Sequence, residues 1–199
     1  LKNPSKDLKI SGNNAIFLDT QAPMFIGDCL ALGIETPITV EKYYPSLCKF
    51  FEHVEKQLNI KIEIASHPKS NHSSHPDYYG GRRTIRGSTF EMIKNARFVI
   101  THGSTAAQFA ILLKKPVVFL TTNEYKKCKL SLFTTLIDAF AHSVGKTAIN
   151  VDEPLNIDWE KELFVDENIY DDHIDCYIKK RGTEELNTWQ ILTNQLKQL

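Results

Sequence analysis

The chain has 199 residues, of which 42% are hydrophobic and 24% charged, a make-up that suits one folded domain with or without a terminal appendage. Lysine plus arginine and aspartate plus glutamate number 24 each, so no global field recommends nucleic acid or an anionic membrane as partner, and any anion site has to be built locally. No run approaches roughly 18 uninterrupted apolar residues and no signal peptide is visible, which argues against a transmembrane segment.

The four cysteines, Cys29, Cys48, Cys128 and Cys176, are widely spaced and form no CxxC pair. They read as reduced thiols of a cytoplasmic protein, with no structural zinc. The start at Leu1 rather than Met suggests a piece of a longer protein.

In chain order, residues 1–13 are polar and basic and read as a linker or disordered lead-in. The run from Ala15 to Asp19 predicts a buried strand ending in an acid. Residues 20–40 read as irregular. Pro45 suits the first turn of a helix, whose apolar face is Leu47, Phe50, Phe51, Val54 and Leu58. Ile60 to Ala65 alternates as a strand does. A long loop over 66–82 follows, rich in His, Ser and Pro. Ser88 with Glu91 predicts a capping box that opens a helix to about Ala96.

Strands are expected at 97–101 and 116–120, with a helix between them from about Ala107 to Leu113. One helix is expected over roughly 123–143, weakest at Thr134-Thr135. A short strand at 147–151, an irregular stretch to 165, and two closing helices at about 167–180 and 184–198 complete the reading. Strands alternating with helices imply α/β architecture: an open, Rossmann-like parallel sheet with helices on both faces, spanning 14–199.

Ligands of such sheets sit beyond the carboxyl ends of the strands, and there the sequence turns polar. In His102-Gly103-Ser104-Thr105, Gly103 permits close backbone approach, while Ser104 and Thr105 place hydroxyls at a helix start, where a phosphate is favoured. The same residues do no more than cap a helix in many proteins. In Ser66-His67-Pro68-Lys69-Ser70, Pro68 restrains His67, which then suits donation to a phosphate oxygen, and Lys69 adds charge. Adjacent strands would bring these two motifs together.

Arg82, Arg83 and Arg86 form the densest basic cluster, read as charge balance for a pyrophosphate or an acidic sugar, or as a solvated loop. Asp19 suits a substrate hydroxyl or a turn cap. Glu124 suits ribose hydroxyls or the first turn of a helix. His67, His72 and His75 lack a carboxylate at a fixed offset, so no metal site is expected. His53 and His142 lie within helices and are given no chemistry. GxGxxG, Walker and GxSxG motifs do not occur, which disfavours dinucleotide, ATP and hydrolase chemistry, and nothing calls for a cofactor.

The ordered series Ile64–Ser70, Glu91–Ala96, Val99–Thr105 and Lys115–Leu120 resembles the C-terminal, donor-binding domain of GT-B type bacterial surface-carbohydrate glycosyltransferases. It looks closest to the sialyltransferase-like and Kdo-transferase-like enzymes of capsule and lipopolysaccharide synthesis. The resemblance covers about residues 14–125. It implies that His67-Pro68 and Ser104-Thr105 grip the phosphate and nucleotide of an activated sugar, with a CMP-sugar favoured.

The implied partners are a nucleotide-sugar donor, a glycan or lipid-linked acceptor and an N-terminal GT-B half-domain. The implied location is the cytoplasm, peripheral to the inner membrane. The chain is also similar to non-hydrolysing UDP-N-acetylglucosamine 2-epimerases, so a sugar-nucleotide epimerase stays open, as does a non-catalytic glycan- or partner-binding module. GT-B enzymes have two such domains and this sequence has strands for one, so no catalytic base is assigned.

Overall fold

A computed structural model describes residues 12–23, 27–31, 33, 35, 36, 38–70, 74–127 and 132–197, apart from the side chains of residues 28, 132 and 133. Six strands form one parallel sheet: β1 (Asn14–Leu18), β2 (Lys61–Ala65), β3 (Thr84–Ile85), β4 (Phe98–Thr101), β5 (Val117–Thr121) and β6 (Ile149–Asn150). Their order is β3-β2-β1-β4-β5-β6, and all five pairings are parallel. This is the strand order of a doubly wound Rossmann-like sheet, which reverses direction between β1 and β4.

The alternation of side chains explains why both faces are covered. Ala15 and Phe17 of β1, Phe98 and Ile100 of β4, and Val118 and Leu120 of β5 enter one core. Ile16 and Leu18, Val99, and Val117 and Phe119 enter the other. A strand buried on both sides reads as a continuous apolar run, as β1, β4 and β5 do. On the first face lies α2 (Val40–Leu58), which supplies Tyr43, Tyr44, Leu47, Phe50, Phe51 and Val54. On the second lie α3 (Thr89–Asn95) and α4 (Ala107–Leu112), with Met92, Ile93, Ala107, Ala110 and Ile111.

Several sequence expectations are refined. The helix expected to open near Pro45 begins at Val40, so Pro45 lies inside α2. Its ring removes one backbone donor, which is tolerable because Glu41 and Pro45 are both on the solvent side. Asn59 ends the helix in the left-handed region, with φ 52° and ψ 49°. The irregular stretch after β1 contains a short helix, α1 (Gly27–Ala31), and the long loop is followed by β3, too short to show periodicity. Ser88 does occupy the N-cap of α3, but its side chain makes no capping hydrogen bond there.

Within the expected long helix over 123–143, the described residues form α5 (Asn123–Lys127) and α6 (Leu132–Ser143), and residues 128–131 lie outside the described ones. The irregular stretch before 165 holds α7 (Trp159–Glu162). The chain closes with α8 (Glu167–Tyr177) and α9 (Thr188–Leu196). Helix α8 is tied back by His173, which bridges Ser143 Oγ at 2.9 Å and Gln108 Oε1 at 2.9 Å. Helix α9 carries a full capping box between Asn187 and Gln190, yet buries none of its residues. Cys29, Cys48 and Cys176 are free thiols; Cys128 and residues 1–11 of the expected linker lie outside the described residues. Among those described, no helix is long and apolar enough to cross a membrane.

Candidate functional site

The register aligns three strand ends into one row. Leu18 of β1 lies beside Ala65 of β2 on one side and Thr101 of β4 on the other. The next residues are therefore Asp19, Ser66 and His102, all buried, at the point where the sheet reverses. By alternation, Asp19 continues the Ala15–Phe17 row and His102 the Phe98–Ile100 row, so both point towards α2.

Asp19 organises this end of the sheet. Its Oδ1 accepts the Gln21 N–H at 2.6 Å and the Tyr79 hydroxyl at 2.8 Å, and its Oδ2 accepts the His67 N–H at 3.2 Å. One carboxylate thus ties the β1 turn to the β2 tip and to the loop before β3. Gln21 sits at φ 54°, a conformation that a side-chain acceptor two residues back supports. Of the two sequence readings of Asp19, the turn cap is what the geometry displays.

His67 emerges at the β2 tip with its ring oriented by its own loop. The Lys69 N–H donates to His67 Nδ1 at 3.2 Å, and Ser70 N–H and Oγ both donate to the His67 carbonyl at 2.9 and 2.7 Å. An accepting Nδ1 places the proton of neutral His67 on Nε2, which makes Nε2 a donor. Pro68 and Lys69 are exposed. The Arg86 guanidinium reaches the Pro68 carbonyl, so the basic residue that joins this turn is Arg86.

Arg82 and Arg83, expected as substrate contacts, are not brought to the rim. Arg82 pairs with Glu55 through Nε at 3.1 Å and a terminal nitrogen at 2.6 Å, donates to the Tyr79 carbonyl at 3.1 Å, and lies over the Phe51 ring. Arg83 pairs with Glu63 at 3.0 Å. Both precede β3 and lie towards the amino ends of the strands, whereas Arg86 follows β3 at the carboxyl end.

The β4 motif is bound up with its own turn. Thr101 Oγ1 accepts the N–H groups of Gly103 at 3.0 Å and Ser104 at 2.8 Å, and Ser104 Oγ accepts the Ala106 N–H at 3.4 Å. The helix begins only at Ala107. The amides expected to face a phosphate are thus partly used internally, while the Thr105 side chain stays exposed. Gly103 stands at φ 104°, where a side chain is strained. The sequence placed the two motifs on adjacent strands; β1 lies between them instead, which separates their tips by about 10 Å.

Glu124, expected near ribose hydroxyls, accepts from Thr39 N–H at 2.9 Å and Thr39 Oγ1 at 2.8 Å, and pairs with Lys42 at 3.3 Å. Its carboxylate thereby holds the start of α2 to the start of α5. Among the described residues no cluster of His, Cys, Asp or Glu is arranged to hold a metal ion; His72 lies outside them.

The residues that sequence reasoning missed are aromatic. His102 packs among Phe17, Tyr43 and Tyr125, with ring centroids 5.8, 5.4 and 5.4 Å away. Its Nδ1 lies 2.8 Å from the Leu120 carbonyl, which requires Nδ1–H, so Nε2 carries the lone pair. Burial depresses its pKa to about 4, with the Leu120 carbonyl and Asp19 opposing, so the ring is neutral at pH 7. Burial likewise raises the hydroxyl pKa of Tyr43, Tyr79 and Tyr125. The signal in the sequence was the pair of Tyr-Tyr doublets, Tyr43-Tyr44 just before the helix expected from Pro45 and Tyr78-Tyr79 in the long loop, neither of which suggests a role by itself. In comparison with known proteins, the chain matches no family model, and no curated protein is significantly similar to it.

Proposed function

We propose that this chain is the donor-binding domain of a glycosyltransferase of the GT-B kind, which holds a nucleotide-sugar across the carboxyl ends of β2, β1 and β4. The observation that carries the reading is the pairing at the sheet reversal of His67, whose ring is fixed as an Nε2–H donor, with the Gly103-Ser104-Thr105 turn one strand beyond β1. Crevices at such reversal points are where doubly wound sheets take nucleotides. The separation of about 10 Å between the two tips suits a ligand longer than one phosphate, so His67 with Lys69 would face the leaving phosphate and Thr105 another part of the nucleotide.

In this reading the chain supplies electrostatic stabilisation of the departing nucleotide, and the partner half-domain supplies the groups that activate the acceptor. Arg86, rather than Arg82 or Arg83, is the cation placed to support the His67 turn. A CMP-sugar is the favoured donor, on the resemblance of the His67-Pro68 motif alone. Nucleotide titration of wild type and His67→Ala by calorimetry tests the reading: loss of affinity in the variant supports it, and equal affinity removes His67 from the site.

A further inference from the structure

Phe90 of α3 and Phe109 of α4 are 43% and 41% exposed, and their rings meet edge to face with centroids 5.2 Å apart. Leu112, one turn on from Phe109, is 45% exposed. The other apolar residues of these two helices, Met92, Ile93, Ala107, Ala110 and Ile111, are buried against the sheet. The helices therefore carry a second apolar surface on the side away from the core. One exposed apolar side chain needs no explanation, but three on neighbouring helices, two of them in contact, mark an interaction surface.

The charge beside this surface is of one sign. Lys94 lies one turn on from Phe90 and is exposed, and Arg86 is exposed just before α3. Among the described residues neither of them forms an ion pair. From Arg86 to Leu112 the sequence holds three cations, Arg86, Lys94 and Arg97, against one acid, Glu91, in a chain whose net charge is zero. Balancing acids lie on α8, which carries Glu167, Asp171, Asp172 and Asp175 and no lysine or arginine. Helix α8 packs on α4 from its other side, where His173 meets Gln108 and Asp171 pairs with Lys114. Charge is thus separated across α4, basic towards α3 and acidic towards α8.

We infer that the α3–α4 face is a docking surface for an anionic lipid bilayer, with Phe90, Phe109 and Leu112 seated at the acyl boundary and Arg86 and Lys94 among the headgroup phosphates. Attachment of a helix face to a bilayer grows with the apolar area it inserts and with its attraction to anionic lipid, and this face offers both. A second copy of the chain is the poorer occupant, because a two-fold contact sets one basic face against another. Arg86 also reaches the Pro68 carbonyl, so docking holds the His67 turn close to the bilayer. The surface does not depend on nucleotide binding and is tested without nucleotide.

Co-sedimentation of the protein with vesicles provides the test, using phosphatidylcholine alone and phosphatidylcholine mixed equally with phosphatidylglycerol. The expected result is binding to the mixed vesicles that weakens as salt is added, with little binding to phosphatidylcholine alone. Phe90→Ser combined with Phe109→Ser is expected to bind roughly tenfold more weakly, and Lys94→Glu several-fold more weakly. Trp189→Ser is the control, since Trp189 is 76% exposed on α9 and outside this face; it is expected to bind as wild type does. Should the paired phenylalanine variant fail to fold, Lys94→Glu and the salt dependence decide.

Absence of binding to the mixed vesicles, or equal binding by wild type and both face variants, overturns the surface. Loss of binding in Trp189→Ser alone overturns it as well. Self-association that the paired phenylalanine variant abolishes, without vesicle binding, assigns the face to a second copy and overturns the lipid assignment. Vesicle binding of the expected pattern beside a failed nucleotide titration would leave the surface standing and remove the donor-domain reading.

Discussion

The Tyr79 hydroxyl donates to Asp19 Oδ1 at 2.8 Å across 60 residues of sequence, and this bond sets the loop before β3 against the β1 tip. The same carboxylate holds the Gln21 and His67 amides. Its removal leaves three donors without their acceptor in a buried place. Asp19→Ala is expected to lower stability by about 3 kcal/mol, measured by urea denaturation. Tyr79→Phe removes one of the three and is expected to cost about 1 kcal/mol. A double-mutant cycle should show the two effects coupled, since they share an atom.

His102 makes stability depend on pH. Its folded pKa of about 4 lies below the ordinary histidine value of 6.5. Between these values the unfolded chain binds a proton that the folded chain refuses, so stability falls as pH drops through that window. The loss is complete near the lower end and amounts to about 3 kcal/mol. Burial lowers His173 as well, which adds a slope of the same sign. His102→Asn keeps an N–H towards the Leu120 carbonyl and removes the titrating ring. Denaturant midpoints from pH 7 to pH 4 should fall less steeply in this variant than in wild type; equal slopes would show that His102 is not held neutral.

Arg82 and Arg86 are expected to separate stability from binding. Arg82 is held by Glu55 with little exposure, its side chain at 11%. Among the described residues, Arg82→Ala leaves the Glu55 carboxylate with the Ile62 amide as its remaining hydrogen-bond donor. The expected loss is about 2 kcal/mol of stability, with nucleotide affinity unchanged. Arg86→Ala should do the reverse: little change in the denaturant midpoint, and weaker nucleotide binding through a looser His67 turn. Thermal denaturation and calorimetry on both variants check the pair together.

Gly103 carries the turn after β4 at φ 104°. A Cβ there would meet Ile137 at 3.5 Å, ordinary contact distance, so the cost of Gly103→Ala is conformational rather than steric. The expectation is a loss of about 1–2 kcal/mol. A much larger loss in denaturation would point to a clash that this geometry does not contain.

The sheet was readable because β1, β4 and β5 are apolar on both faces, and a run such as Val117-Val118-Phe119-Leu120 has few other uses. Strand β3 was not, because two residues carry no period. The His67 and Gly103-Ser104-Thr105 tips were located correctly at strand ends, since polar residues after an apolar run mark that place. Their spacing was not, because sequence order does not say that β1 slots between β2 and β4. Arg82 was misplaced because an arginine near a glycine pair reads as a ligand contact, while its partner Glu55 lies in another element. The buried Tyr43, Tyr44 and His102 cluster was invisible for the same reason: each residue is unremarkable in its own segment, and only the packing of α2 on the sheet brings them together.

Nucleotide binding at the sheet reversal is tested most directly by calorimetric titration of the protein against CMP, CDP, UDP and GDP, with His67→Ala alongside. Selective binding of one nucleotide class is expected, with at least roughly tenfold weaker binding in the variant. No binding of any of the four at millimolar concentration, or equal binding by wild type and His67→Ala, would contradict it.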